Sequence, residues 1–151
     1  MSAVEFRPSG KLHPRAAEFS LLGDLLQAPV RSDGDLAALA EQRVSIDVLD
    51  RLGERGLKAD ELMFIIPRRT LSHRRQHGER LSPDESDRAI RLAKIVALAE
   101  AVFGNREKAM AWLRAQQARF AGKTALGLAA TEHGARLMED ALVQIDEGYF
   151  A

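Results

Sequence analysis

The chain has no cysteine, which excludes disulfides and thiolate metal sites and suits a reducing, cytoplasmic setting. Aromatic residues make up only 5% of its 151 residues, so a core must be built from Leu, Ile, Val and Ala. That bias favours helix over strand. No stretch approaches the ~20 apolar residues of a membrane-spanning helix, and no membrane partner is expected. Residues 1–10, with Glu5, Arg7 and Pro8, lack the apolar segment of a signal peptide, so none is expected. Net charge is missing as well, with 22 Lys and Arg balancing 22 Asp and Glu. A protein that binds DNA through its whole surface is usually basic overall, so a nucleic-acid role here has to be local.

What is present is 46% hydrophobic and 29% charged residues, enough for a packed core and a solvated surface. The length suits one mid-sized domain or two small helical ones. Charge is polarised along the chain. Residues 67–80 hold five arginines, two histidines and one carboxylate, Glu79. Near the C-terminus, Glu132, Glu139, Asp140, Asp146 and Glu147 face Arg136 alone.

Local signals predict a run of helices. A loose arm precedes a helix over 14–27, apolar at Ala17, Leu21, Leu22, Leu25 and Leu26 and stopped by Pro29. Asp33, Gly34 and Asp35 form a turn that caps a short helix through Leu36, Leu39 and Ala40. Ser45 caps a helix over 46–55, with Gly56 as terminator. A further short helix is expected over 59–65, and Pro67 leaves a brief gap before the arginine-rich helix. Three short helices on tight turns, the last one basic, form the pattern of a helix-turn-helix unit.

Ser82-Pro83-Asp84-Glu85 is a capping box with proline at N1, opening a long helix to Phe103. Gly104 ends it. Asn105 caps a helix over 106–114 that carries Met110, Trp112 and Leu113. Gly122 marks a loop, Thr124 caps a short helix, and Thr131 caps the last. There Leu137, Met138, Ala141, Leu142 and Ile145 recur at helical spacing before Gly148.

The basic helix has the size and charge to enter a nucleic-acid groove. Arg68, Arg69, Thr70 and Ser72 lie near its start, His73, Arg74 and Arg75 one turn on, and Leu71 is the core anchor. Arginine pairs bidentately with guanine, and hydroxyls at a helix N-terminus hold phosphates. The competing reading is a solvated charged face. His73 and His77 lie four apart as zinc-binding pairs do, but Arg74 stands where a metalloprotease carries Glu, and its cation repels a metal. They read as surface histidines. Gly122-Lys123-Thr124 resembles the end of a phosphate loop, but the upstream glycine is missing. The neighbours Glu139 and Asp140 point apart on a helix and make no acid–base pair. No catalytic residue, metal or cofactor is expected, and nothing in the pattern points to an enzyme. Trp112 reads as core. The C-terminal Gly148-Tyr149-Phe150-Ala151 places two aromatics at a chain end, where they serve as partner anchors or fold back on their own core.

From Pro67 onward the chain resembles the Xre/MbcA/ParS antitoxins. The resemblance rests on Arg69-Thr70-Leu71 with Arg74, and on residues 81–88, Leu-Ser-Pro-Asp-Glu-Ser-Asp-Arg. It continues through Ala99-Glu100-Ala101-Val102-Phe103-Gly104 and Ala109-Met110-Ala111-Trp112-Leu113. Leu128-Ala129, Thr131-Glu132, Gly134-Ala135 and residues 145–149 complete it. Ala125 departs from the pattern, since many relatives have proline after the threonine. The resemblance implies the neutralising half of a type II toxin–antitoxin pair, whose partner is a RES-domain toxin that consumes NAD or transfers ADP-ribose from it. It also implies a C-terminal domain covering the toxin's active-site cleft. The N-terminal domain then dimerises and binds the operon's own promoter.

On that basis the expected fold is all-α, an Xre-like helix-turn-helix bundle followed by a small helical toxin-binding domain. Residues 1–34 form a variable arm and helix, 35–80 the helix-turn-helix domain, and 81–151 the toxin-binding domain. The toxin contacts are expected at Trp112, Leu137, Glu139, Asp146, Glu147, Gly148, Tyr149, Phe150 and Ala151. Two other classes fit the residues: a stand-alone helix-turn-helix transcriptional regulator, and a helical interaction module with no DNA role.

Overall fold

The computed structural model describes residues 14–148. Among them are eight α-helices and no strand; one isolated bridge pairs Gln116 with Thr124. The helices are α1 (Pro14–Leu26), α2 (Asp33–Gln42), α3 (Asp47–Glu54), α4 (Arg68–Gln76), α5 (Pro83–Phe103), α6 (Arg106–Arg114), α7 (Ala125–Leu128) and α8 (Glu132–Asp146). The fold is all-α, as composition and resemblance predict.

The centre of the molecule is α5. Ser82 Oγ accepts from the Glu85 amide at 3.1 Å, and Glu85 Oε1 accepts from the Ser82 amide at 2.7 Å, which forms the capping box. Gly104 closes the helix at φ 65°, a left-handed position that glycine takes without a Cβ clash. Leu92, Ala93, Ile95, Ala97 and Ala99 are buried, and so is nearly every side of its middle. A helix apolar all round belongs in a core, and each fully buried large side chain contributes about 1.5–3 kcal/mol. α5 packs against α1 and α2 on one hand and α6 and α8 on the other, with lighter contact to α3. One continuous core therefore runs from Leu22 on α1 to Leu142 on α8.

Where local signals and structure differ, the reasons are physical. The cap of α2 is Ser32, which accepts from the Asp35 amide at 3.2 Å; Asp33 to Asp35 form the first turn, where carboxylates favour the helix dipole. α3 starts at Asp47 rather than Ile46, with Ser45 Oγ accepting from the Asp47 amide at 3.3 Å. The helix expected over 59–65 is a 3-10 turn over Ala59–Leu62, continued by the bonds from Met63 to Asp60 and Ile65 to Leu62. Ile65 and Ile66 are consecutive and both buried, and Pro67 drives Ile66 out of helical geometry. α7 begins at Ala125 without proline, because Thr124 Oγ1 accepts from the Gly127 amide at 3.0 Å.

Arginines join the segments that helix packing leaves apart. Arg114 on α6 bridges to Glu61 in the 3-10 turn at 2.7 Å, and Arg55 after α3 bridges to Glu100 on α5 at 2.7 Å. Arg43 donates to the Leu81 carbonyl at 2.8 Å and Arg51 to the Leu25 carbonyl at 2.6 Å.

Candidate nucleic-acid and toxin-facing surfaces

α3 ends in a turn set by Gly56 at φ 109°, where the Leu57 amide donates back to the Leu52 carbonyl and both leucines are buried. The chain then passes through the 3-10 turn and the Ile66–Pro67 corner into α4. This is the helix-turn-helix segment. α4 ends the same way: Gly78 sits at φ 62° and the Glu79 amide donates to the Arg74 carbonyl at 2.9 Å.

At 100° per residue, Arg68, Arg69, Ser72, Arg75 and Gln76 share one face of α4, and all five are exposed. Arg68 and Arg69 make no ion pair among the described residues. Arg75 reaches Asp50 at 3.1 Å, but both side chains are open to solvent, where such a pair contributes about 0–1 kcal/mol. Thr70 is half-buried and His73 exposed, its ring 4.1 Å from that of His77. Leu71 flanks this face, one turn from Arg68 and Arg75, and packs partly buried against the core. Gln76 was not among the sequence candidates; its only signal is its helical phase with Arg69 and Ser72.

Arg74 is placed differently from its expected role at the DNA. Its side chain is 19% exposed and lies on the inner side, one turn from Leu71. Nε donates to Glu85 Oε1 at 2.9 Å, and Nη1 to Glu79 Oε2 at 2.9 Å. Burial pushes the Glu85 carboxyl up, but the Ser82 amide and the Arg74 guanidinium outweigh it and hold Glu85 below the usual carboxylate range.

The second surface is α8. Thr131 caps it, its Oγ1 accepting from the Gly134 amide at 3.0 Å. Met138, Ala141 and Leu142 are buried, while His133, Arg136, Leu137, Asp140, Val143, Gln144 and Glu147 face outward. Leu137 is 55% exposed, an apolar side chain standing among charges. Val143, absent from the sequence candidates, is 42% exposed on the same outward side. Asp146, Glu147 and Gly148 are exposed, with Gly148 at φ 87°. Glu139 is turned inward to Lys94 at 3.4 Å, and Lys94 also holds Asp33 at 3.3 Å. Trp112 is half-buried on α6, between the rings of Phe103 at 5.9 Å and Phe120 at 6.4 Å. Tyr149, Phe150 and Ala151 lie outside the described residues.

An exposed basic helix on a helix-turn-helix segment, joined through one long helix to a second helical unit, defines a two-part all-α protein of the helix-turn-helix class. Residues 35–94 match the family model "Antitoxin Xre-like helix-turn-helix domain", and residues 98–148 match "Antitoxin Xre/MbcA/ParS C-terminal toxin-binding domain". The chain is 46% identical over 150 residues to Antitoxin Xre of Pseudomonas putida, covering 99% of this chain and 92% of that protein. It is 32% identical over 111 residues to Antitoxin Xre of Yersinia enterocolitica, covering 71% of this chain and 75% of the relative. The chain belongs to the Xre/MbcA/ParS antitoxin family. The two matched segments meet inside α5.

Proposed function

We propose that this antitoxin neutralises a RES-domain toxin by covering the cleft in which the toxin consumes NAD or transfers ADP-ribose, and that it represses its own operon as a cytoplasmic homodimer. In this division, residues 35–80 carry the DNA contacts and 81–151 the toxin contacts. The observation that carries the proposal is the presence of both matched domains in one nearly full-length relationship to antitoxins.

Each surface has chemistry for its task. The face of Arg68, Arg69, Ser72 and Gln76 offers two guanidinium groups that make no ion pair among the described residues, beside a hydroxyl and an amide. Arginine reads guanine, glutamine reads adenine, and serine holds phosphate. On α8, Leu137 and Val143 supply apolar area while Asp140, Asp146 and Glu147 supply negative charge. A cleft built for NAD phosphates is cationic, so these carboxylates complement it. Tyr149 and Phe150 extend the same chain end, and Gly148 allows it to turn away from the helix axis.

The test is co-expression with a RES-domain toxin, sought first in the gene next to this one. Growth should be rescued, the two proteins should co-purify, and NAD consumption should stop. Deleting residues 148–151 should weaken inhibition while leaving promoter binding intact. Promoter binding without rescue would identify a stand-alone regulator instead, and undiminished inhibition by the truncated chain would move the plug to the helix faces around Leu137.

A further inference from the structure

α4 carries the exposed basic face, yet among the described residues it makes no broad helix–helix contact. Its apolar hold on the core is Leu71, which is only partly buried. An angle error at a recognition helix moves every side chain that reaches for a base, so something else has to set its pitch. The structure shows a polar tie at each end. At the entry, Arg88 on α5 donates two hydrogen bonds to the Ile65 carbonyl, at 3.1 and 3.0 Å, just before the Ile66–Pro67 corner. At the exit, Arg74 uses all three guanidinium nitrogens on carboxylates: Nε and Nη2 on Glu85, at 2.9 and 3.4 Å, and Nη1 on Glu79, at 2.9 Å. Glu85 is at the same time the capping residue of α5, its Oε1 shared with the Ser82 amide at 2.7 Å. Its side chain is 9% exposed. The last turn of α4 is thus bolted to the first turn of the helix at the centre of the core.

We propose that Arg74 is a positioning residue for DNA recognition and not a DNA contact: with Glu85 and Glu79 it holds α4 at the angle that presents Arg68 and Arg69. The inference rests on α4 being the recognition helix. Each of the three guanidinium nitrogens of Arg74 is already turned to a carboxylate and the side chain is only 19% exposed, so reaching a phosphate would mean pulling it out of this tie. Arginine suits the task because its planar fork meets two carboxylates in fixed geometry, which a lysine ammonium does not. Glu79 adds the exit loop to the same tie, so the conformation around Gly78 and the start of α5 move as one piece.

The carboxylates make the proposal testable by sign. Removing a negative charge near DNA strengthens binding if charge alone matters, because phosphate is repelled less. Removing the same charge weakens binding if its task is to hold α4. Promoter binding of the full chain is measured by anisotropy across a salt series. Glu85→Gln keeps the acceptor for the Ser82 amide and loses the charge that Arg74 uses. It should bind on the order of tenfold more weakly, with an unchanged slope against log salt. Arg74→Gln should do the same, and the double variant should be no worse than the weaker single, as coupled residues behave. Glu79→Gln, at a more exposed carboxylate, should show a smaller loss of the same sign and provides the answer if Glu85→Gln fails to fold. Arg68→Ala and Arg69→Ala should each lower the slope by about 0.9 if they touch phosphate. An Arg74→Gln slope reduced by a similar amount, or tighter binding by the carboxylate variants, overturns the positioning role. Unchanged affinity together with unchanged slopes for Arg68→Ala and Arg69→Ala overturns α4 as the DNA surface, and the inference with it.

Discussion

Gly134→Ala should destabilise the protein, although glycine to alanine inside a helix normally stabilises by about 1 kcal/mol. Gly134 sits at the third position of α8, where its amide caps onto Thr131 Oγ1 at 3.0 Å. A Cβ built there overlaps the Leu128 carbonyl oxygen and lies 2.7 Å from the carbonyl carbon and 2.9 Å from Thr131 Oγ1. Two of these atoms are backbone and cannot swing away, so the α7–α8 corner has to open. Overpacking costs about 1–3 kcal/mol and loss of a threonine cap about 1. Set against the helix gain of about 1 kcal/mol, the net loss is about 2 kcal/mol. For a chain of this size that lowers the melting temperature by roughly 4–8 °C. Gly53→Ala is the matched control: Gly53 lies within α3 at an exposed position with nothing within 4 Å of its Cβ site. It should stabilise by about 0.4–1 kcal/mol. Thermal melts followed by far-UV circular dichroism read both. A Gly134→Ala variant melting at or above the wild type would refute the packing account of the α7–α8 corner.

Leu98→Ala removes a buried side chain from the core face of α5 and should cost ~2–5 kcal/mol by urea unfolding; a melt within a degree of wild type would place Leu98 outside the core. Stability should also fall in acid. Glu61 is held below its ordinary value of 4.5, chiefly by its hydrogen bond from Arg114, and Glu85 is lowered too, because the Ser82 amide and Arg74 outweigh its burial. A depressed carboxyl stabilises fully above its unfolded pKa, and that contribution is lost as pH falls through the lower folded pKa. Urea midpoints should therefore decline below about pH 4.5, and Glu61→Gln with Glu85→Gln should flatten that decline; an equally steep acid limb in the double variant would assign it to other groups.

Much of the helix plan was legible in the residues because caps are local. Ser82 with Glu85, Asn105, Thr124 and Thr131 each bond an amide three residues on, so their spacing alone marks a helix start. Gly56, Gly78, Gly104 and Gly148 mark ends because each takes a positive φ. The basic character of α4 and the acidic, apolar mix of α8 were equally open to inspection. Residues 59–65 depart from the expected helix because burial of both Ile65 and Ile66, a tertiary demand, overrides local propensity there.

The residues by themselves determined the all-helical architecture, the order of the helices and the two surfaces of opposite charge, since all of these follow from periodicity, caps and composition. The tertiary structure alone decided which charges remain available on those surfaces. Arg69 and Arg74 both belong to the segment that carries the family resemblance, yet one stands in solvent and the other is spent on Glu85 and Glu79. Glu139 and Asp146 both read as acidic surface, yet the first is taken by Lys94 from α5. An ion pair forms between residues that chain topology brings within a few ångströms, and separation along the chain does not encode that distance.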